Sequence, residues 1–456
     1  MPGKRVIGAV ERIDRRSLMY HILYRWVKFV FNQYYSKIEV TGLENIPKDA
    51  PVIFAPNHQN AVMDALVVLF SSPGDTVFLA RADLFRKPLL ARALNNLKIL
   101  PVFRIRDGVG ELGKNQEIFD ITVGVLHRKH QLCLMPEGNH GSYRRLRALV
   151  KGIFRIAFKT QETHKDQPYV KIVPVGLDFQ DYTKHHQTLL VNYGKPIEVS
   201  DYWKTFEENG PRGVNRIRDH LASELKELMI HIKTKDYYDT YMGLRTIYNP
   251  TMREKLGLSG KTLTDRFRAD KTMISKLNQV LETDEPKIQT LHEKVTTYLA
   301  ELRRMNIRDW VVAKKGYSLL QTLWRWLTLL ITLPIFIYGL INNALVYFLP
   351  VLLVKNIKDR QFHSSVKAGA AMLFIFPFFY LLQTLLVGIF TGPWWIWVTY
   401  LILLYPTGKF ALHWYFRIKK TLRAGWFGHR YRRNKKDATQ MVKQRAEIIK
   451  SMNDML

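Results

Sequence analysis

Two long stretches of this chain, 326–354 and 368–390, contain no Asp, Glu, Lys or Arg, and a third, 394–406, follows after Thr391-Gly392-Pro393. A bilayer core offers peptide N–H and C=O groups no partners. Uncharged runs of this length therefore fold as helices whose hydrogen bonds close within the segment, and they read as membrane segments. Pro334, Gly339 and Asn342-Asn343 interrupt the first run and divide it into arms of about 15 and 11 residues, each short of the roughly 20 that a spanning helix needs. The pattern predicts two helical hairpins, the first turning near Ile341-Asn342-Asn343 and the second at Thr391-Gly392-Pro393. The loop between them, 355–367, carries Lys355, Lys358, Arg360 and Lys367 against the single acid Asp359. Short basic loops favour the cytoplasmic side. Paired hairpins then return loop and tail to the face of the N-terminal domain, and three full spans are the alternative.

The chain has 456 residues, with 69 Lys+Arg against 39 Asp+Glu and a formal charge of +30. That balance suits a polyanionic partner: nucleic acid, an anionic membrane face, or phosphorylated and CoA-type substrates. The apolar runs and an aromatic content of 12% favour anionic membrane lipids, and no nucleic acid is expected. One cysteine, Cys133, excludes an internal disulfide framework and fits a reducing compartment. The first twenty residues scatter charge without an apolar core and do not read as a signal peptide. Residues 18–35 form an aromatic helix with Arg25 and Lys28 interspersed. It either lies in a headgroup region or packs on its own domain.

From 38 to 200 strand patterns alternate with helical ones, which indicates one α/β domain with a mixed sheet flanked by helices. Residues 201–316 are charged and helix-forming. The expected organisation is an N-terminal membrane-associating helical region (1–37), the α/β domain (38–200), a helical region (201–316), the C-terminal α-helical membrane hairpins (317–416) and a basic tail (417–456).

Four blocks in the α/β domain carry chemistry. In PVIFAPNHQNAVMD (51–64) an apolar strand stops at Pro56, Asn57-His58 follow at the turn, and a helix begins. A strand ending in a turn into a helix places polar groups on the sheet rim, where ligands bind in α/β folds. There His58 can take a hydroxyl proton while Asp64 holds the ring's other nitrogen. In LPVFRIRDG (100–108) a strand delivers Arg104 and Arg106 to one face, two guanidinium forks suited to a phosphate monoester. In LMPEGNHGSYRRLR (134–147) Pro136 ends a strand, and Gly138 and Gly141 let backbone N–H groups turn toward an anion. Glu137 can orient an acceptor hydroxyl or a neighbouring basic group, and Arg144 stands among basic residues at the mouth. IVPVGLDF (172–179) reads as a buried strand.

In this order the four blocks resemble the glycerolipid acyltransferase family, which acts on glycerol 3-phosphate or 1-acylglycerol 3-phosphate. The family's motifs are NH-x4-D, F-x-x-R, F-P-E-G-T-R-S and V-P-V. They correspond here to Asn57-His58…Asp64, Phe103…Arg106, Met135-Pro136-Glu137-Gly138-Asn139-His140-Gly141-Ser142 and Val173-Pro174-Val175. Five residues separate His58 from Asp64 instead of four, which resembles the fungal-type branch, whose second block P-V-x-R fits Pro101-Val102-Phe103-Arg104. Arg104 and Arg106 both stay candidates for the phosphate. On a regular helix the extra residue rotates Asp64 by about 100°, so a turn must absorb it. Asn139-His140 replace the usual Thr-Arg, and the basic contact passes to His140 or Arg144.

The resemblance implies direct acyl transfer from acyl-CoA or acyl carrier protein to a hydroxyl of glycerol 3-phosphate or a lysophospholipid. His58 and Asp64 are catalytic, Asn57, Arg104, Arg106, Glu137, Gly138, Asn139, His140 and Arg144 bind substrate, and backbone N–H groups near the turn stabilise the oxyanion. It implies no metal and no cofactor beyond the acyl thioester, and an integral membrane protein with its catalytic domain on the cytoplasmic face. The alternative is a non-catalytic lipid-binding or tethering module. Gly108–Gly113 matches G-x-G-x-x-G and Gly257–Thr262 imitates a phosphate loop. The first falls inside the α/β domain beside a better-explained acid, and the second has Lys255 where its first glycine belongs, so neither is read as a nucleotide site.

Overall fold

The computed structural model describes residue 13 and residues 18–102, 114–165 and 168–456, which divide into two compact units. The first comprises the chain to His231 together with Ile357–Ser365. In chain order its elements are α1 (Leu18–Tyr34), β1 (Lys37–Thr41), β2 (Val52–Pro56), α2 (Ala61–Ser71), β3 (Thr76–Arg81), α3 (Pro88–Asn96), β4 (Ile99–Val102), α4 (Lys114–His127), β5 (Gln131–Cys133), α5 (Gly152–Gln161), β6 (Lys171–Phe179), β7 (Thr188–Tyr193), β8 (Ile197–Glu198), α6 (Trp203–Glu208) and α7 (Gly210–Leu228).

The strands form one mixed sheet in the order β1-β7-β6-β2-β5-β3-β4. β2 lies between β6 and β5 and is parallel to both, buried at every position. A strand covered on both faces reads as a continuous apolar run, as 52–55 does. β7 returns antiparallel along β6 from Val175 to Phe179, and β8 takes over the same edge at Lys171 and Ile172. One face of the sheet, through Ile53, Val77, Leu100 and Leu132, packs on Val125 of α4, Phe154 of α5 and Leu221 of α7 in a single apolar cluster. The α/β unit thus continues past residue 200, because α7 presents Ile217, Leu221 and Leu225 to that core.

The N-terminal helix packs on its own domain. Tyr20, Val30, Phe31 and Tyr34 are buried, and the rings of Tyr24 and Phe31 lie 5.3 and 5.2 Å from Phe70 of α2. Leu18, Ile22, Trp26 and Phe29, spaced four, four and three apart, form an exposed apolar stripe on the other side.

The second unit is helical: α8 (Tyr238–Ile247), α9 (Asn249–Lys255), α10 (Leu263–Thr283), α11 (Glu285–Arg304), α12 (Asp309–Ala313), α13 (Leu319–Ile331), α14 (Leu333–Leu353), α15 (Phe362–Ala370), α16 (Phe376–Thr391), α17 (Trp394–Arg432) and α18 (Lys436–Met455). The first four residues of α15 belong to the first unit. A π turn, Ala371–Ile375, joins α15 to α16. Two helices, Leu333–Leu353 and Phe362–Thr391, are long and apolar enough to cross a membrane.

The hairpin turn expected near Ile341-Asn342-Asn343 is absent, because α14 runs unbroken through it for 21 residues. Both asparagines satisfy their amides without leaving the helix. Asn342 Nδ2 donates back to Tyr338 O at 2.8 Å, and Asn343 Nδ2 donates to Gly339 O at 3.0 Å and across to Leu404 O at 3.2 Å. Their oxygens accept from Tyr400 and Tyr380, each at 2.6 Å. The chain breaks instead at Thr332, with Pro334 in the first turn of α14. A proline there costs nothing, since that N–H has no intrahelical partner. The second turn lies where expected: α16 ends at Thr391, Gly392 takes φ 78°, and Pro393 precedes α17.

The basic C-terminal segment is ordered helix. Arg445 of α18 pairs at 2.8 Å with buried Asp309, which also accepts from Tyr298 at 2.8 Å. The phosphate-loop imitation at 257–262 is a helix cap: Thr262 accepts from Asp265 N at 3.0 Å, and Asp265 accepts from Gly260 N at 3.1 Å. The G-x-G-x-x-G match at 108–113 lies outside the described residues.

Helices α14 and α17 approach without room for side chains. A Cβ on Gly339 would stand 2.3 Å from Thr407 O, and one on Gly408 would stand 2.5 Å from Asn343 Oδ1. Gly408→Leu is expected to lower the melting temperature of the detergent-solubilised protein by several degrees, while the same change at Gly369, where an added Cβ would meet nothing within 4 Å, leaves it unaltered. Equal melting curves for the two variants would contradict the close approach.

Candidate active site

The β2 strand ends at Pro56, and the chain turns through Asn57-His58-Gln59-Asn60 into α2. Asn57 is buried and clips this turn to β6: its Oδ1 accepts from Leu177 N at 2.6 Å and its Nδ2 donates to Leu177 O at 3.2 Å. Its amide is therefore engaged in positioning the strand end.

His58 follows, with Nδ1 2.8 Å from Asp64 Oδ2. The same carboxylate oxygen accepts from Gln59 N at 2.8 Å and Asn60 N at 2.7 Å. The five-residue separation is absorbed in this way: the two extra-helical residues fold their N–H groups back onto Asp64, and Ala61 enters α2 with φ 42°. A non-glycine residue at positive φ is strained, and the three bonds converging on Asp64 hold it there. Asp64 is fully buried, while the His58 side chain is 14% exposed. A carboxylate acceptor on Nδ1 fixes that nitrogen as the donor, which leaves Nε2 with the lone pair a general base requires.

The loop after β5 lies against this turn. Gly138 adopts φ 65°, open to glycine at little cost, and a Cβ there would press on Val150 at 3.0 Å. Glu137 is buried. Its Oε1 accepts from His58 N at 2.8 Å and its Oε2 from Arg147 N at 3.0 Å. Burial raises its pKa, and the two backbone N–H bonds oppose that rise. Glu137 thus binds the two loops together and supports the backbone of His58. Gly138 N donates to Met135 O and Gly141 N to His58 O, at 3.1 and 3.4 Å, so the N–H groups expected to face an anion bond within the protein.

Asn139 accepts from His140 N at 3.0 Å. The His140 ring centre lies 5.5 Å from that of His58. Burial and the neighbouring His58 lower the His140 pKa, with Asp359 and Asp64 acting in the opposite sense. Arg144, placed at the mouth by the sequence, is buried and pairs with Asp178, donating also to Phe179 O. Arg104 and Arg106 lie outside the described residues. Cys133 is buried in β5 with its thiol pKa pushed far up by burial.

Several contributors have no motif signature. Arg147 donates to His140 O at 2.7 Å, Gln59 Nε2 donates to Tyr143 O at 3.1 Å, and Gln361 bonds Ser142 Oγ at 2.8 Å. Asp359 stands 3.5 Å from His140. Of these only Asp359 had a visible signal, as the one acid in a basic loop.

Comparison with known proteins bears on the α/β domain that carries this geometry. Residues 37–178 match the family described as Acyltransferase. This chain carries an acyltransferase-family domain. Glycerol-3-phosphate O-acyltransferase 1 of Saccharomyces cerevisiae is 24% identical over 259 residues, 54% of this chain and 32% of that protein. The 1-acyl-sn-glycerol-3-phosphate acyltransferase of Borreliella burgdorferi is 27% identical over 201 residues, 42% of this chain and 74% of that protein. The chain therefore spans about a third of the length of the yeast relative and most of the bacterial one. Among solved structures, the 1-acyl-sn-glycerophosphate (LPA) acyltransferase PlsC from Thermotoga maritima aligns with 50% of this chain and 88% of its own, at 19% identity and a TM-score of 0.33.

The latch function of Glu137 is testable. In Glu137→Gln one amide nitrogen must face a backbone N–H, leaving a buried donor unsatisfied at a cost of about 1–3 kcal/mol. The variant is expected to unfold at lower temperature than the parent by scanning calorimetry. A melting temperature equal to the parent's would show that the loops are joined by other bonds.

Proposed function

We propose that this protein transfers a fatty acyl group from acyl-CoA or acyl carrier protein to a hydroxyl of glycerol 3-phosphate or a lysophospholipid, in phospholipid synthesis at a membrane. The observation that carries the reading is the 2.8 Å contact between His58 Nδ1 and buried Asp64, within a domain of the Acyltransferase family. Asp64 fixes the ring, Nε2 of His58 removes the acceptor proton, and the acceptor oxygen attacks the thioester carbonyl. The carbonyl becomes an oxyanion and then expels the thiol, which leaves carrying the proton. His58, Gln59 and Asn60 donate their backbone N–H groups to Glu137 and Asp64, so these hold the base rather than the oxyanion. Arg104 and Arg106 are proposed as the phosphate contacts from their sequence alone.

The exposed stripe on α1 and the two long apolar helices support location at a membrane, and the basic loop 355–367 favours the cytoplasmic side for the acyltransferase domain. Acceptors and products of this class are lipids or their anionic precursors, which fits a chain with a formal charge of +30.

With purified protein in lipid or detergent, labelled acyl-CoA and a panel of acceptors, His58→Ala is expected to reduce turnover by at least about 10²-fold with the fold intact by circular dichroism. Near-normal transfer by that variant would eliminate His58 as the base. Asp64→Asn is expected to impair turnover as well, since an amide no longer fixes the tautomer.

The arginines are separated by Michaelis constants. Arg104→Ala or Arg106→Ala is expected to raise the KM for a phosphate-bearing acceptor more than that for the acyl donor. Unaltered acceptor KM in both variants would mean that the phosphate is bound elsewhere.

A further inference from the structure

The chain leaves the second unit at Asn356, contributes Ile357–Ser365 to the first, and returns at Val366. In sequence this excursion follows the first of the two helices long enough to cross a membrane and takes in the first four residues of the second, and it reaches the loop that carries His140. Asp359 Oδ2 stands 3.5 Å from His140 Nε2. The Phe362 ring meets the His140 imidazole edge-on, with centres 5.0 Å apart. Gln361 is buried against the same loop. With its amide turned to satisfy both ends, its nitrogen donates to Asp359 and its oxygen accepts from Ser142 N at 3.2 Å and Ser142 Oγ at 2.8 Å. Ser364 is wholly buried and donates to Tyr182 O. The segment is itself folded, with Phe362 N on Asp359 O at 3.2 Å and His363 N on Arg360 O at 3.1 Å.

We propose that Ile357–Ser365 is a clasp that completes the acyltransferase site, in which Asp359 is a positioning residue that orients His140 toward the acceptor phosphate beside His58. This rests on the acyl-transfer reading above. The loop 137–142 is tied to the His58 turn by Glu137, but the His140 ring gains its orientation from the clasp. The carboxylate meets Nε2, Phe362 packs against the ring, and Gln361 joins the carboxylate to Ser142. Against the burial and the neighbouring His58 that lower the His140 pKa, the Asp359 carboxylate at 3.5 Å favours the imidazolium, which pairs with it through Nε2 and keeps its Nδ1 proton to donate to an anion. The His58 and His140 ring centres lie 5.5 Å apart, so that one acceptor molecule can reach both, its reacting hydroxyl at His58 and its phosphate at His140. An acyl thioester has no such pair of groups at its reacting end, so the effect is expected on the acceptor.

The test uses the full-length protein in lipid, with labelled acyl-CoA and either glycerol 3-phosphate or lysophosphatidate. Asp359→Ala is expected to raise the acceptor KM about tenfold, the scale of one charge-assisted contact, with the donor KM changed less than twofold. Asp359→Glu should restore most of the loss, and Asp359→Ala should add nothing in a His140→Ala background. Equal effects on both substrates, no effect, or additivity with His140→Ala would overturn the positioning role. Hydrogen exchange of amides 137–144 gives a readout independent of turnover. Gln361→Ala should accelerate it, and unaltered exchange would overturn the clasp even in an active enzyme. Accelerated exchange in a protein that acylates neither acceptor would support the clasp while overturning the acyl-transfer reading and, with it, the acceptor role.

Discussion

One carboxylate oxygen organises the acyltransferase domain. Asp64 Oδ2 gathers the His58 ring and the N–H groups of Gln59 and Asn60 within 2.7–2.8 Å. Without it the turn between β2 and α2 would leave two buried N–H groups unpaired, Ala61 would lack a reason to hold a positive φ, and His58 would lose its tautomer. Two hydrogen bonds to backbone and one to imidazole make the strain at Ala61 tolerable, because bonds to a charged acceptor contribute about 1.5–3 kcal/mol each. The geometry of the His58–Asp64 pair and the local fold are thus the same set of bonds.

Around that oxygen, polar residues that a motif reading assigns to substrate are engaged in holding backbone. Asn57 closes a two-bond amide clip on Leu177, Glu137 bridges the N–H groups of His58 and Arg147, and Arg144 is neutralised by Asp178. Each is buried, and a buried polar group left unpaired is costly. Burial explains their engagement: residues so enclosed must find partners within the protein. His140, half-buried and next to His58, is differently placed, and it meets a carboxylate, Asp359, from far along the chain.

In the helical unit the same rule explains a residue pair that misleads. Asn342 and Asn343 look like a break in an apolar run. In place they bond back along α14 and accept hydroxyls from Tyr380 and Tyr400, with Gln383 donating to Asn342 O at 3.1 Å. Polar side chains in an apolar environment join helices when partners lie on the neighbouring ones. The same residues end a helix only when no such partner exists, and nothing in a one-dimensional reading reveals that.

The sequence alone determined what depends on neighbours along the chain. Alternating apolar runs set the parallel strands, Pro56 closed the central one, Gly392-Pro393 set the second turn, and His58 and Asp64 could be picked out six positions apart. Those features follow from local sterics and periodicity. Tertiary structure decided what depends on residues distant in sequence. It absorbed the added residue before Asp64 in a turn, carried the α/β unit on to His231, and kept α14 unbroken through its asparagines. It also brought Asp359 and Gln361 onto the His140 loop, across more than 200 residues. No local pattern specifies such a contact, since a hydrogen bond between distant segments exists only once the intervening chain has folded and brought both groups out of water together.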